Sequence, residues 1–184
     1  NNESRFRNVD IKNLIVIITA ESLKSSDKVY RLNLINSITG FKPGNLIGTK
    51  SVNNQSNLAI FSSVVHLGSK PPLLGIITRP NSVPRHTYKN IIDTNYFTIN
   101  HISKNSVIRA HYTSAKFDVD DSEFKRCGFE EDYINSFYAP FVKESEVKIG
   151  MKLVEEINIR SNNTILLVGE VIKIIVDDNL ISKD

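Results

Sequence analysis

Between Asn45 and Val176 the chain is cut into short β-rich runs by Gly, Pro and Asn, with no sustained alternation of strand and helix. That pattern restricts the fold more than any other feature, because it excludes a doubly wound parallel sheet and favours a closed β structure. Six runs stand out, at residues 45–51, 56–67, 72–78, 95–102, 153–159 and 164–176, rich in the β-branched, aromatic and aliphatic residues that suit a pleated surface. The connections Val52–Gln55, Gly68–Pro71 and Arg160–Asn163 carry turn residues, and the last is the best hairpin signal in the chain. A short helix is expected after residues 80–84, with Ser82 as its cap, Pro84 in its first turn and Tyr88, Ile91 and Ile92 on one face. Residues 103–137 lack alternation and form an excursion that interrupts the sheet, with Glu123, Phe124, Arg126 and Cys127 spaced for another short helix. Near the N-terminus the run Leu14–Thr19 suits a peripheral strand or the start of a helix, and Asn33–Asn36 lead through Gly40, Pro43 and Gly44, a turn-rich connection, into the first β run. Six or more strands with two or three short helices read as a mainly β barrel, whose closure hides strand edges.

A chain of 184 residues can bury a self-sufficient core, and with 40% apolar and 23% charged residues it is neither disordered nor disulfide-stapled. The N-terminal apolar stretch Leu14–Ile18 is far shorter than the roughly 20 residues a membrane span needs, and no signal-peptide zones precede it. A cytoplasmic protein without a membrane partner is expected. The single cysteine, Cys127, suits a reducing compartment and reads as a small buried hydrophobe.

A net charge of +3 is too small for the dense basic stripe of a nucleic-acid binder. The average hides an asymmetry. Residues 28–92 carry eight basic side chains and no acidic one, whereas residues 117–184 carry 15 acidic against 8 basic. Either acidic and basic faces meet in the fold or the first segment holds an anion.

Several familiar chemistries are excluded by spacing. The eight glycines form neither G-x-G-x-x-G nor the phosphate loop that ends in Gly-Lys-Ser/Thr. His66, His86, His101 and His111 lack a metal-ligand companion at local spacing, so no metal site is expected. Ser62 and Ser63 sit in a β run without the elbow that exposes a nucleophilic serine, and read as hydrogen-bond donors. With Arg79 at the end of the next run and Arg85, His86 and Thr87 at the helix start, they make a phosphate-compatible set. Arg supplies a bidentate fork, hydroxyls fill remaining oxygens, and a helix N-terminus adds unpaired N–H groups.

A run of short motifs in fixed order then resembles a known family. Asn45-Leu-Ile-Gly-Thr49, Asn57-Leu-Ala-Ile-Phe-Ser-Ser63, His66-Leu-Gly68, Pro71-Pro-Leu-Leu74, Arg85-His-Thr-Tyr-Lys-Asn90, Tyr96-Phe-Thr-Ile-Asn-His101, Thr113-Ser-Ala-Lys-Phe117 and Ala139-Pro-Phe-Val-Lys-Glu144 occur in sequence. Over residues 28–178 the chain resembles the flavin reductase-like FMN-binding split-barrel proteins, among them flavoredoxin and the flavin reductase component of nitrilotriacetate monooxygenase. The resemblance implies a six-stranded Greek-key barrel with excursion helices, in a domain spanning residues 28–184 behind a poorly matched extension, residues 1–27. It implies a homodimer holding one FMN per subunit near the dimer interface.

Carried over position by position, Asn57, Leu58, Ala59 and Ile60 would run beside the flavin ring, offering mainly backbone groups to its polar edge. Ser62 and Ser63 would reach the ribityl chain or phosphate. Arg79 and Thr87 would contact the phosphate with Arg85 and His86 nearby, and Thr49 and Ser51 would form the floor. The segment His111–Phe117 resembles the piece folded over the flavin pocket, where Ser114, Lys116 and Phe117 would line the nicotinamide or ring side. Ile60 departs from the family, many of whose members place Pro there, which bears on the stiffness of the flavin-edge loop.

The implied reaction is hydride transfer from NADH or NADPH to flavin and onward electron transfer to an acceptor, an oxygenase or another redox protein. The cofactor carries that chemistry, so no catalytic triad is needed. Two alternatives stand beside it: a flavoredoxin-type FMN electron carrier fed by a protein, and a split-barrel module that binds a ligand without turnover.

Overall fold

A computed structural model of the chain describes residues 16–117 and 121–181, which fall into two compact units divided between Phe41 and Lys42. In the first, helix α1 (Ala20–Ser25) is capped by Thr19, whose Oγ1 accepts from the Ser22 amide at 3.2 Å. Helix α2 (Lys28–Ser37) is capped by Asp27, which accepts from the amides of Val29 and Tyr30 at 2.8 and 3.1 Å. Those bonds satisfy N–H groups the helix leaves free, and they hold the Asp27 carboxyl below its usual range. Asn33–Asn36 are therefore helical, and the turn-rich stretch begins only after them, with Gly40 at φ +79°. Of the N-terminal apolar run, Leu14 and Ile15 lie outside the described residues, and Val16 to Ile18 form neither helix nor strand.

The second unit is built on a seven-stranded antiparallel sheet. Its strands are β1 (Asn45–Lys50), β2 (Ser56–Phe61), β3 (Val64–Ser69), β4 (Pro72–Thr78), β5 (Tyr96–His101), β8 (Val147–Ile159) and β9 (Thr164–Val176), in the order β2-β1-β5-β8-β9-β4-β3. The two ends of that order, β2 and β3, are consecutive in the chain. They are the halves of a single β run bent at Ser62–Ser63, where the Ile77 amide donates to the Ser63 carbonyl at 3.4 Å and Ser63 Oγ donates to the Ile77 carbonyl at 2.8 Å. The sheet rolls into a barrel with its seam at this corner, and the expected sixth strand count becomes seven because one strand is broken there.

Inward side chains fill the barrel: Ile47, Ile76, Phe97, Ile99, Met151, Ile165 and Leu167 are buried together. Helix α3 (His86–Thr94) stops one end, contributing buried Ile91 with Tyr88 and Ile92 packed beside it. The helix starts later than its sequence signals suggest. Arg85 occupies the cap position without a capping side-chain bond, leaving Ser82 and Pro84 in the preceding loop. Arg85 Nε instead donates to the Pro80 carbonyl at 3.1 Å, which closes the loop from behind. Asn95, in the left-handed region at φ 65°, ends the helix.

Between β5 and β8 runs the excursion, with α4 (Val107–Tyr112), α5 (Glu123–Arg126) and the small ladder of β6 (Glu131–Asp132) with β7 (Phe141–Val142). It covers the outer face of β1 and β2, where Leu46, Leu58, Ala110, Phe124, Cys127, Phe129 and Val142 form a second core. Burial pushes the Cys127 thiol up, in keeping with its packing role. Asn100 ties the excursion down: its Nδ2 donates to the Leu46 carbonyl and to Thr98 Oγ1, and its Oδ1 accepts from the Val142 amide at 3.0 Å. Strand β8 begins six residues before its expected start, because Val147, Ile149 and Met151 alternate with lysines and with Gly150, over which Phe137 packs. No described helix is long and apolar enough to cross a membrane.

Candidate functional site

Helix α3 is held against the sheet by two asparagine–threonine bonds. Asn57 Nδ2 on β2 donates to Thr87 Oγ1 at 3.0 Å, and Asn90 Nδ2, almost one turn on, donates to Thr49 Oγ1 on β1 at 3.1 Å. All four side chains are buried. A buried amide left unpaired is costly, so these bonds set where the helix start lies. Beside them, between the β1–β2 turn, α3 and the start of α5, lies a cleft of about 240 Å³ whose lining includes Ser51, Asn57, His86, Asn90, Asp121 and Glu123. Across α3 a second cleft of about 270 Å³ is lined by Val83, Pro84, Arg85, Tyr88 and Ile92, and the two share His86, Lys89 and Asp93.

The expected site residues are distributed around this helix and along β2. Ser51 borders the first cleft, with its Oγ accepting from the Gln55 amide and its carbonyl accepting from Tyr138 Oη at 2.9 Å. Thr49 lies beneath as a buried support. The Leu58 and Ile60 side chains belong to the second core, while Ala59 pairs with Ile47 of β1. Arg85 and His86 border the second cleft, His86 the first as well.

The remaining phosphate-compatible residues gather elsewhere. Ser62 is exposed at the strand corner, Ser63 is bonded to Ile77, and Arg79 is exposed immediately beyond β4 with no side-chain partner among the described residues. Asn57 and Phe61, at the two ends of this span, stand four strand residues apart, about 13 Å. Ser62, Ser63 and Arg79 thus stand at the corner and Arg85, His86 and Thr87 at the helix start, with the Arg85–Pro80 bond joining the helix start to the residue after Arg79. Ser114 is exposed, its Oγ donating to the His111 carbonyl at 2.7 Å, and Lys116 is exposed. Neither lines the two clefts, and Phe117 packs against the second core.

The structure adds residues that pattern reading left out. Glu123 on α5 accepts from the Leu58 amide through Oε2 at 3.2 Å, and burial pushes its carboxyl up despite the neighbouring His86. Asn90 was visible only as the last residue of a motif. At the cleft's outer rim the Lys50 ammonium lies 4.9 and 4.5 Å from the ring centres of Tyr133 and Tyr138, pinning the excursion to the end of β1. Ser56 Oγ donates to Glu131 Oε1 beside it. These contacts join segments 60 to 90 residues apart, and no local spacing announces them.

The family model for the flavin reductase like domain matches residues 41–183. The chain belongs to that family. A flavin reductase-like protein of split-barrel fold from Shewanella frigidimarina NCIMB 400, a candidate flavin reductase, is 44% identical to it with a TM-score of 0.89, over 92% of this chain and 84% of that one. Nitrilotriacetate monooxygenase component B from Bacillus cereus shares the fold at 19% identity and TM-score 0.81, over 93% and 86%. So does flavoredoxin of Desulfovibrio vulgaris (Miyazaki F), at 23% identity and TM-score 0.66, over 78% and 74%. The flavin reductase like match begins at the boundary between the two compact units, so the expected family and split-barrel fold both hold.

Proposed function

We propose that this chain is a cytoplasmic flavin reductase that binds FMN along the β2 edge of its barrel and uses NADH or NADPH as co-substrate. The observation that carries the proposal is the exposed Ser62 and Arg79 at one end of β2 and the cleft that Asn57 borders at the other, in a chain of the flavin reductase like family. A ligand with a ring at one end and a phosphate at the other has the form to span them.

Charge decides the direction. The first cleft includes Asp93, Asp121 and Glu123 against His86 and Lys89, and Lys89 is already paired with Asp93 at 2.5 Å. A phosphate dianion is disfavoured there, whereas the corner offers the exposed Arg79 guanidinium and the Ser62 hydroxyl. Arg79 and Ser62 would hold the phosphate, with Ser63 shaping the corner. Asn57 to Ile60 would lie along the ring, with Thr87, Asn90 and Thr49 fixing the helix behind it and Ser51 at the floor. When bound, FMN supplies a ring that takes up a hydride from the nicotinamide and passes two electrons to an acceptor. The protein's own part is to bind and orient: the paired amides keep α3 and β2 in one relative position without a rearrangement at the moment of reaction. Ser114, Lys116 and Phe117 would border the nicotinamide side of the ring.

A single protomer's cleft is smaller than the roughly 300–1,000 Å³ of ligand sites, and a second copy would complete it. An apolar outer face supports a homodimer. An added Cβ on Gly75 would lie within 3.2 Å of Val65, Leu67 and Leu166, and Leu166 pairs with the exposed Ile157, so these residues form one patch across β3, β4, β9 and β8. The acceptor would be an oxygenase or another redox protein.

The test is the visible spectrum of the purified protein after FMN is added and excess removed, recorded anaerobically before and after NADH or NADPH. Retained flavin bands that bleach support the reductase, and retained bands that persist with either nucleotide show a carrier reduced by another protein. No retained flavin together with no nicotinamide oxidation in free FMN refutes the proposal.

A further inference from the structure

On β2 the Leu58 amide points away from β1, since it donates to the Glu123 carboxylate and not into the ladder. The edge that would face a ring along β2 therefore presents, at this residue, a side-chain carboxylate in place of a backbone N–H. Glu123 Oε2 is held at 3.2 Å by that amide. The Glu123 carboxyl also accepts from its own backbone N–H, and the side chain lines the cleft together with Asn57 and His86. A carboxylate held by backbone N–H groups is a fixed acceptor with lone pairs left for the cleft that it lines, and burial in the second core of the neighbouring Phe124 holds the start of α5 in place.

We propose that Glu123 is the specificity-determining residue of the cleft, accepting a hydrogen bond from a ring N–H of the bound ligand. Resting on the reading that FMN lies along β2, the donor it selects is the imide N–H of the flavin pyrimidine ring, flanked by two carbonyls. Those carbonyls suit the Asn57 and Asn90 amides at the cleft wall as donors, and the carboxylate supplies the acceptor that no backbone group there provides. A ligand with an acceptor or a methyl group at that position strips water from the carboxylate without pairing it and is rejected, because a polar group that loses water and gains no partner costs more than a matched one returns.

The experiment is a fluorescence titration of the full chain with FMN and with N3-methyl-FMN, in which the imide hydrogen is replaced by methyl, for the wild type, Glu123→Ala and Glu123→Gln. The wild type is expected to bind FMN at least tenfold more tightly than the methylated flavin. Glu123→Ala is expected to reduce that preference to within about twofold. Glu123→Gln, whose carbonyl takes the Leu58 amide and turns its NH₂ toward the ring, is expected to lose FMN affinity at least tenfold while melting like the wild type, so it decides the matter if the alanine variant does not fold. Equal binding of both flavins by the wild type, or an undiminished preference in either folded variant, overturns the role of Glu123 and leaves the FMN reading standing. Failure of the wild type to bind either flavin overturns the FMN reading, and the proposal with it.

Discussion

Thr87→Val keeps the shape of the side chain and removes the oxygen that accepts from Asn57 Nδ2 at 3.0 Å. Both residues are 7% exposed, so the orphaned amide would lose a bond that bulk water replaces only in part. An unsatisfied buried donor costs roughly 1–3 kcal/mol. Asn57 also borders the cleft, where solvent reaches one side of it, which places the expected loss at about 1–2 kcal/mol. For a chain of this length that corresponds to roughly 2–8 °C in Tm. Urea unfolding of the wild type, Thr87→Val, Asn57→Leu and the double variant measures it. Because removing both partners leaves no orphan, the double variant should be more stable than the sum of the single losses predicts, with a coupling of about 0.5–3 kcal/mol. A Thr87→Val variant within 0.3 kcal/mol of the wild type, or a cycle that closes additively to within about 0.5 kcal/mol, refutes the view that this bond pins α3 to β2.

Arg79→Ala should weaken FMN binding by about 1.5–3 kcal/mol, the worth of a charge-assisted bond, with unchanged unfolding; an unaltered affinity by calorimetry removes Arg79 from the phosphate site. Leu67→Glu places a charge in the apolar patch beside Val65 and Leu166, and light scattering should find the wild type dimeric, as proposed, and the variant monomeric; a dimeric variant moves the interface elsewhere. Gly48→Ala drives a methyl group into the Pro140 carbonyl and to 2.5 Å from Thr98 Oγ1, so a loss of about 1–3 kcal/mol is expected in denaturant melts. Glu123 carries its carboxyl raised by burial, so the folded chain holds that proton to higher pH than the unfolded chain does. Its contribution to stability is greatest below the ordinary carboxylate range and falls as pH rises through the raised value. The stability of the wild type relative to Glu123→Gln should therefore decline as pH rises above the ordinary carboxylate range, and a difference that stays flat contradicts the desolvation reading.

Sequence legibility followed the range of the forces involved. β4 and β9 occupy the residues expected of them, because their ends are marked by adjacent Pro, Thr and Asn turn residues. The break in the run 56–67 was hidden, since Ser62 and Ser63 suit a strand as well as a corner and only the barrel's need to close bends them. The start of α3 moved from Ser82 to Arg85 because the Arg85 guanidinium finds the Pro80 carbonyl, a contact no propensity encodes. The beginning of β8 was obscured by Lys148, whose side chain is buried only because Asp132 of the excursion meets it at 3.1 Å. At the site, Ser62, Arg79 and His86 could be named from residue type and order, whereas Glu123 required knowing that α5 docks on β2.

By itself the sequence determined the barrel architecture and the basic, hydroxyl-rich segment that suits a phosphate, because periodicity, turn chemistry and charge act within a few residues of chain, and the order of its short motifs carried the resemblance to the family. Tertiary structure alone decided that two asparagine–threonine bonds hold α3 against β1 and β2, and that a carboxylate from the excursion covers the Leu58 amide. Each of those depends on groups 30 to 65 residues apart, brought together by burial of the two cores, and burial is a property of the folded whole.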